Sequence, residues 1–353
     1  MNIIFIKTIY STRTIQLVKT NSMLRKIAFF IMSIVFVNCY SQSGTIEPKL
    51  DVLFKNLHAT KAFNGNVLIA QKGKIVYEKA FGQADANKSS ELTTKYRFHI
   101  GSIAKEFSAV GIMMLKEQKK LNLDDSVSKF LPELPSWANK IKIIHLLQYT
   151  SGLPQIKWNQ VNQDSDNMAF LKKTTNLDFK PGTKYDYNNN NIFLQRRIIE
   201  KITNMPFNSF VIKKVLAPIG IKNALVDPDV NEKDFAKSFN NKGVQDALKY
   251  NISGWTAVNL KDFYKWSEAI NSFKLISPES TQQLFIPFSE GSQTGLGEGI
   301  IEKGKVIGHV HDGAAFNYQA LLVSDTKFTI ILMSNNKQGN LEEISDSIQV
   351  ILR

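Results

Sequence analysis

Ser102 follows a glycine and stands three positions before Lys105, at the head of a stretch in which Ile103, Phe107, Val110 and Met114 recur at helical spacing. On a helix, residues i and i+3 share a face, so this spacing sets an amine beside a hydroxyl. A serine hydroxyl is a weak nucleophile at neutral pH and needs such a base. A lysine withdrawn from water loses its proton more easily and can then accept the serine's. The start of a helix also turns free N–H groups toward any oxyanion formed there. The chemistry this pattern predicts is acyl transfer through Ser102. Read alone, the same residue is equally an N-cap serine.

Context has to decide, because the spacing recurs at Ser126/Lys129, Ser324/Lys327 and Ser334/Lys337. Ser126 lies in the polar run Asp124-Asp125-Ser126-Val127-Ser128, which reads as a cap or turn, and the other two pairs flank the last predicted strand. Only Ser102 opens an amphipathic helix.

The elements that must position this pair are legible at both ends of the chain. Helical periodicity covers 46–62 through Leu50, Leu53, Phe54 and Leu57. Two β-rich runs, 65–71 and 75–82, meet across a Lys-Gly-Lys turn and predict a hairpin. A helix is expected from 102 to about 119. The middle, roughly 120–285, is helical, loop-rich and punctuated by seven prolines from Pro132 to Pro228. Strands return at 298–302, 306–311, 318–324 and 328–335, and a helix closes the chain at 341–352. This order implies an α/β (α+β) fold: an antiparallel sheet built from both termini, flanked by helices, with a helical insertion.

Four segments then resemble one known family. The run Tyr96-Arg97-Phe98-His99-Ile100-Gly101-Ser102-Ile103-Ala104-Lys105 is similar to the nucleophile segment of class C β-lactamases and their penicillin-binding relatives. His145-Leu146-Leu147-Gln148-Tyr149-Thr150-Ser151-Gly152-Leu153-Pro154 resembles their Leu-Leu-x-x-Thr-Ser-Gly-Leu loop, and Pro181-Gly182 through Tyr187-Asn188-Asn189 their Pro-Gly-x-x-x-x-Tyr-Ser-Asn element. Gly308-His309-Val310-His311-Asp312-Gly313 resembles the third motif, Lys-Thr-Gly in β-lactamases and His-x-Gly in many esterase and peptidase relatives. The matches keep the family's order across about 45–353, which implies a β-lactamase/transpeptidase-like fold.

The resemblance also implies roles. Ser102 attacks a carbonyl to form an acyl-enzyme and Lys105 takes or shares its proton. Tyr187, as phenolate or through its hydroxyl, relays a proton to the leaving group. Asn189 orients a substrate amide or the Lys105 amine, and His311, Asp312 and Gly313 line the strand beside the acyl group. The backbone N–H groups of Ser102 and Ala314 form the oxyanion hole. The Thr150-Ser151-Gly152 loop supports the site, and His58, His99 and His145 are structural or at the surface. The function expected is hydrolysis of an ester or a (D-)peptide or amide by a Ser-Lys-Tyr mechanism, without cofactor. The substrate is a small molecule, cell-wall derived in one reading. The alternative is a catalytically weak penicillin-binding or sensor-like module.

Two departures matter. Asn188 replaces a small residue, which is tolerable if it points away. Where a β-lactamase holds the drug's carboxylate with a lysine and a hydroxyl, this chain has His311 and Asp312. An aspartate facing the cleft repels a carboxylate and favours neutral or cationic groups, so a true β-lactamase is the weaker reading. His309 and His311 alternate and share a face, but no acid or histidine at usable spacing completes a metal site with them, so a metal-dependent hydrolase is not expected.

Composition is that of a globular chain. With 43% hydrophobic and 21% charged residues the balance is globular. The net charge of +13 includes +5 from residues 1–41, leaving +8 spread without a basic block, which argues against nucleic acid as partner. Residues 1–41 read as a leader. Met-Leu-Arg-Lys from Met23, an apolar run Ile27 to Val37 and Ser41 predict a signal peptide over 23–41, with 1–22 a mis-called extension. Residues 42–353 then form a single catalytic domain, its α/β part at about 46–119 and 290–353 and its helical part at about 120–289. The expected location is the periplasm or the exterior. Cys39, the sole cysteine, opens the lipoprotein alternative, and membrane attachment is expected only through its lipidation.

Overall fold

Strand-forming residues at the two ends of the chain build one sheet. The computed structural model describes residues 46–303 and 305–353, so the leader reading and Cys39 lie outside the described residues. In chain order the elements are α1 (Ile46–Ala59), β1 (Gly65–Gln71), β2 (Lys74–Phe81), β3 (Phe98–His99), α2 (Lys105–Glu117), α3 (Ile143–Leu147), α4 (Asp164–Lys173), α5 (Asn189–Thr203), α6 (Phe207–Phe210), β4 (Leu225–Val226), β5 (Thr256–Val258), α7 (Leu260–Asn271), α8 (Pro278–Gln283), β6 (Glu298–Glu302), β7 (Lys305–Ala315), β8 (Tyr318–Ser324), β9 (Phe328–Ser334) and α9 (Leu341–Leu352). The main sheet is antiparallel, in the order β2-β1-β9-β8-β7-β6. The short β3, β5 and β4 form a second sheet, which two- and three-residue strands did not betray in the sequence.

Side chains alternate across a strand, and here both faces are covered. Val67, Ile69, Leu321, Val323, Ile330 and Leu332 pack under α1 and α9 with Leu50, Phe54, Ile344 and Ile348. Leu68, Ala70, Ala320, Leu322, Ile331 and Met333 join the larger core formed with Phe107 and Val110 of α2 and Phe263 and Trp266 of α7. The continuous apolar runs of β1, β8 and β9 follow from burial on both sides.

The strand that matters for chemistry is β7. Its partner β6 covers it only as far as Val310, so from His311 onward its outer edge is open. The turn Gly101–Ala104, which leads into α2, docks on that open edge. The approach is so close that a Cβ on Gly313 would run into the Ile100 carbonyl and lie 3.0 Å from the Ser102 nitrogen. Gly101 has φ +53°, and its missing Cβ would collide with the Ala314 nitrogen.

A buried network ties α2 to the same strand. Glu106 is fully buried; it accepts a hydrogen bond from His311 Nδ1–H at 2.6 Å and another from Trp266 Nε1–H at 2.5 Å. The Gln293 side-chain amide donates to His311 Nε2 at 3.0 Å. His311 therefore does not lie beside an acyl group as expected. The strand's pleat turns it inward, 3% exposed, and leaves Asp312 and Ala314 on the open face. Burial alone would raise the Glu106 carboxyl, but the hydrogen bonds from His311 and the Trp266 indole, with His309 close by, hold it below its ordinary range.

Two outcomes follow. Gly313→Ala should destabilise by about 1–3 kcal/mol through overpacking, and in thermal melts and turnover assays it should remain folded but lose most activity; unchanged turnover would contradict the docking. Glu106→Ala leaves two buried donors without their acceptor and should cost about 3–5 kcal/mol in chemical denaturation, whereas a loss below about 1 kcal/mol would show that the network carries little.

Candidate active site

The turn Gly101–Ala104 ends where α2 begins, so Ser102 and Lys105 are separated by one turn of helix and their side chains rise together. Lys105 Nζ–H donates to Ser102 Oγ at 2.8 Å, and Tyr187 O–H donates to the same oxygen at 3.0 Å. The amine also stands 5.1 Å from the centroid of the Tyr187 ring. Two groups from distant segments, the amine of Lys105 and the phenol of Tyr187, thus converge on the Ser102 hydroxyl.

Their electrostatic settings differ. Burial is the main cause that brings the Lys105 amine down to about 7; the Arg196 guanidinium pushes the same way and Asp312 opposes. Near neutral pH a large share of the amine is therefore free base. Burial pushes the Tyr187 phenol up to about 12, its bond with Ser102 pulling back only partly. Tyr187 is therefore a neutral phenol at neutral pH, and of the two forms considered from sequence the hydroxyl is the one present.

Tyr187 owes its place to an asparagine-rich clamp. Asn188, 1% exposed, caps α5 by accepting from the Asn190 N–H at 2.8 Å and donates through Nδ2 to the Leu153 carbonyl at 2.5 Å. It points away from the cleft. Asn190 Nδ2 donates to the Pro154 carbonyl at 2.7 Å. The clamp thus binds the head of α5 to the 150–154 loop, where the Tyr149 ring packs 4.9 Å from the Tyr187 ring. The loop's own backbone is tied in turn, Gly182 N–H donating to the Thr150 carbonyl at 2.8 Å. Asn189 faces the cleft instead.

The cleft beside Ser102 is lined by Lys105, Trp158, Tyr187, Asn189, Arg196, Trp255 and Ala314, among others. Ala314 lies on the same wall as Ser102, the strand and turn approaching closely at Gly101 and Gly313. Asp312 is exposed on the neighbouring face, near enough for its charge to act on both Lys105 and Tyr187. His311 and Gly313 do not reach the cleft wall; they support it from behind.

The remaining histidines sit elsewhere. His99 is buried among Phe235, Tyr250, Trp255 and Tyr318, with its Nε2 2.7 Å from the Tyr250 hydroxyl. His145 Nδ1 accepts from the Lys142 N–H at the start of α3. His309 Nε2 lies 3.9 Å from Glu106 Oε1, and neither of its ring nitrogens has a hydrogen-bond partner among the described residues. Among the described residues no group of three or more His, Cys, Asp or Glu could hold a metal ion. Of the other Ser-x-x-Lys pairs, Lys129 is engaged by Asp125 at 2.8 Å, and Ser324 and Ser334 end β8 and β9.

Sequence reasoning missed Glu106, Arg196, Trp158 and Trp255. A signal for Arg196 existed: it follows Asn189 by two helical turns, which puts both on one face of α5. Glu106 follows Lys105 directly but carries no pattern of its own.

Comparison with known proteins agrees with this architecture. A family model described as Beta-lactamase matches residues 50–352. Penicillin-binding protein 4* of Bacillus subtilis is 27% identical over 340 residues, covering 86% of this chain and 74% of that protein. The teichoic acid D-alanine hydrolase of Staphylococcus aureus is 28% identical over 258 residues, covering 70% of this chain and 64% of that one, so slightly less than two thirds of its length is represented. Among solved structures, FmtA from Staphylococcus aureus superposes with a TM-score of 0.72 at 24% identity over 87% of this chain and 90% of that one, and a class C β-lactamase with 0.73 at 18% over 87% and 95%. These structural likenesses establish the fold. With its mixed architecture, its antiparallel sheet and a family match across almost all the described residues, the chain belongs to the β-lactamase family of serine hydrolases.

Proposed function

We propose that this protein hydrolyses an ester or a D-amino-acyl or peptide bond through an acyl-enzyme on Ser102. The observation that carries the reading is the convergence of the Lys105 amine and the Tyr187 hydroxyl on Ser102 Oγ, at 2.8 and 3.0 Å. The free amine of Lys105 takes the Ser102 proton as Oγ bonds to the carbonyl carbon. The negative oxygen so formed is held by the N–H groups of Ser102 and Ala314. Tyr187 gives its proton to the departing alcohol or amine as the carbonyl re-forms, and the Lys105 ammonium restores the phenol. Water then attacks the acyl group, losing its proton to the amine, and the acid leaves as Ser102 recovers its hydrogen. Asn189, on the cleft wall, is suited to hold a substrate amide.

Substrate preference follows from charge. The exposed Asp312 presents a carboxylate where a drug's carboxylate would bind, so neutral or ammonium-bearing groups are favoured. That agrees with a relative whose name is teichoic acid D-alanine hydrolase, and a cell-wall ester is the class we propose. We place the enzyme in the periplasm or outside the cell, on the leader read from sequence.

The test is a panel of p-nitrophenyl esters, D-amino-acid amides and nitrocefin against wild type and Ser102→Ala. Ester or amide turnover should fall at least about a thousandfold in the variant, while nitrocefin is turned over poorly by both; undiminished turnover without the hydroxyl would sink the proposal. Because the amine must be unprotonated, kcat/KM should climb about tenfold per pH unit below an apparent pKa of about 7 and level off above it; a rate that falls through this range would contradict Lys105 as the base. Asp312→Ser should raise kcat/KM for carboxylate-bearing substrates relative to neutral ones, and an unchanged ratio would remove Asp312 from substrate selection.

A further inference from the structure

Arg196 lines the cleft with Ser102 and Lys105 yet is only 6% exposed. Its partners are neutral. Nη1 donates to the Ser253 carbonyl, Nη2 to the Gly254 carbonyl at 3.4 Å, and the guanidinium lies 5.1 Å from the centroid of the Phe207 ring. Nε has no hydrogen-bond partner among the described residues. The nearby carboxylates are engaged elsewhere: Asp164 and Glu200 pair with Arg197, and Asp227 accepts the N–H groups of Gly254 and Trp255. Burying a cation among neutral acceptors is costly, and an uncharged amide could hold the same two carbonyls. The charge itself therefore needs a reason.

The reason lies in the same cavity. Lys105, half-buried, is a second basic group lining it, and two cationic charges facing one low-dielectric space repel each other. A guanidinium does not give up its proton in proteins, so the lysine does. We propose that Arg196 is a positioning residue that acts through Lys105, a permanent buried cation whose field keeps the amine in its proton-accepting form. The other charges around the pair do not cancel it. Asp312 of β7 pulls the opposite way but is exposed and screened by water. Tyr187 is a neutral phenol. Glu106, next to Lys105 on α2, is turned to His311 and Trp266. Around Arg196 itself stand Asp227, Asp164, Arg197 and Tyr149, of which the first three are engaged as described and Tyr149 is held as a neutral phenol by burial. The field of Arg196 is among the influences that bring the amine to about 7, second only to burial.

This inference rests on the serine-hydrolase reading, and the test separates the two. A fluorophosphonate probe reports Ser102 activation without knowledge of the substrate: Oγ bonds to phosphorus, fluoride leaves and the serine proton passes to Lys105. Its labelling rate would be followed against pH for the full chain and for Arg196→Gln and Arg196→Met. Gln removes the charge and keeps donors for the two carbonyls; Met removes the charge and the donors together. In both variants the acid limb should move to higher pH by on the order of half a unit or more, slowing labelling about threefold on that limb. An acid limb in Arg196→Gln that coincides with wild type, or a shift seen in Arg196→Met alone, would overturn the proposal. If Arg196→Gln loses its cooperative melt, Ile192→Glu sets a carboxylate one turn away on the same wall; it should raise the limb, and an unmoved limb overturns the idea. A wild type that never labels at Ser102 would instead refute the hydrolase reading beneath it.

Discussion

A lysine amine kept from water, with a hydroxyl at 2.8 Å and no carboxylate pairing with it among the described residues, is the arrangement on which the rest of this site depends. Bringing the amine from about 10.5 down to about 7 corresponds to roughly 5 kcal/mol against its charged form, burial being the main cause. The sign is informative. The unfolded chain holds this proton up to higher pH than the folded one, so through the window between about 7 and 10.5 the lysine's contribution to stability rises with pH. Below that window the fold must carry the burial of a charged group. It does so with a two-faced sheet and a helical layer that already bury large apolar cores.

Precision comes from β7. One face of its open end supports the site through His311, bound to Glu106 at 2.6 Å, and its backbone meets the Gly101–Ala104 turn where only glycine fits, at Gly101 and Gly313. The same strand offers Ala314 to the cleft and Asp312 to solvent at its rim. Alternation thus divides the third motif into a buried half, His311 and Gly313, and an outward half that holds Asp312. In this chain the motif's histidine braces α2 against the sheet, and the aspartate beside it is exposed.

Local patterns made much of this legible before any coordinates. The Ser102–Lys105 relation is a property of one helical turn, and the strands 298–302 and 318–324 and the last helix fall at the residues their periodicity marked. What depended on distant pairing was harder. Tyr187 came from resemblance, because nothing within its asparagine-rich stretch says that the ring will reach Ser102. Alternation told that His309 and His311 share a face, but not that this face looks into the core; β6 covers only half of β7, which the sequence does not reveal. Glu106 and Arg196 are single charged residues on amphipathic helices, indistinguishable in one sequence from solvated ones. Their importance arises from burial, which is a property of the packed molecule.

The central claim, that a large share of Lys105 is free amine beside Ser102 at neutral pH, can be read without any substrate. Proteins carrying lysine labelled with 13C at Cε, with the Lys105 signal assigned by Lys105→Arg, would be titrated by NMR. The account predicts an inflection near 7, well below the ordinary lysine value of 10.5. A Lys105 resonance that titrates near 10.5 would contradict it.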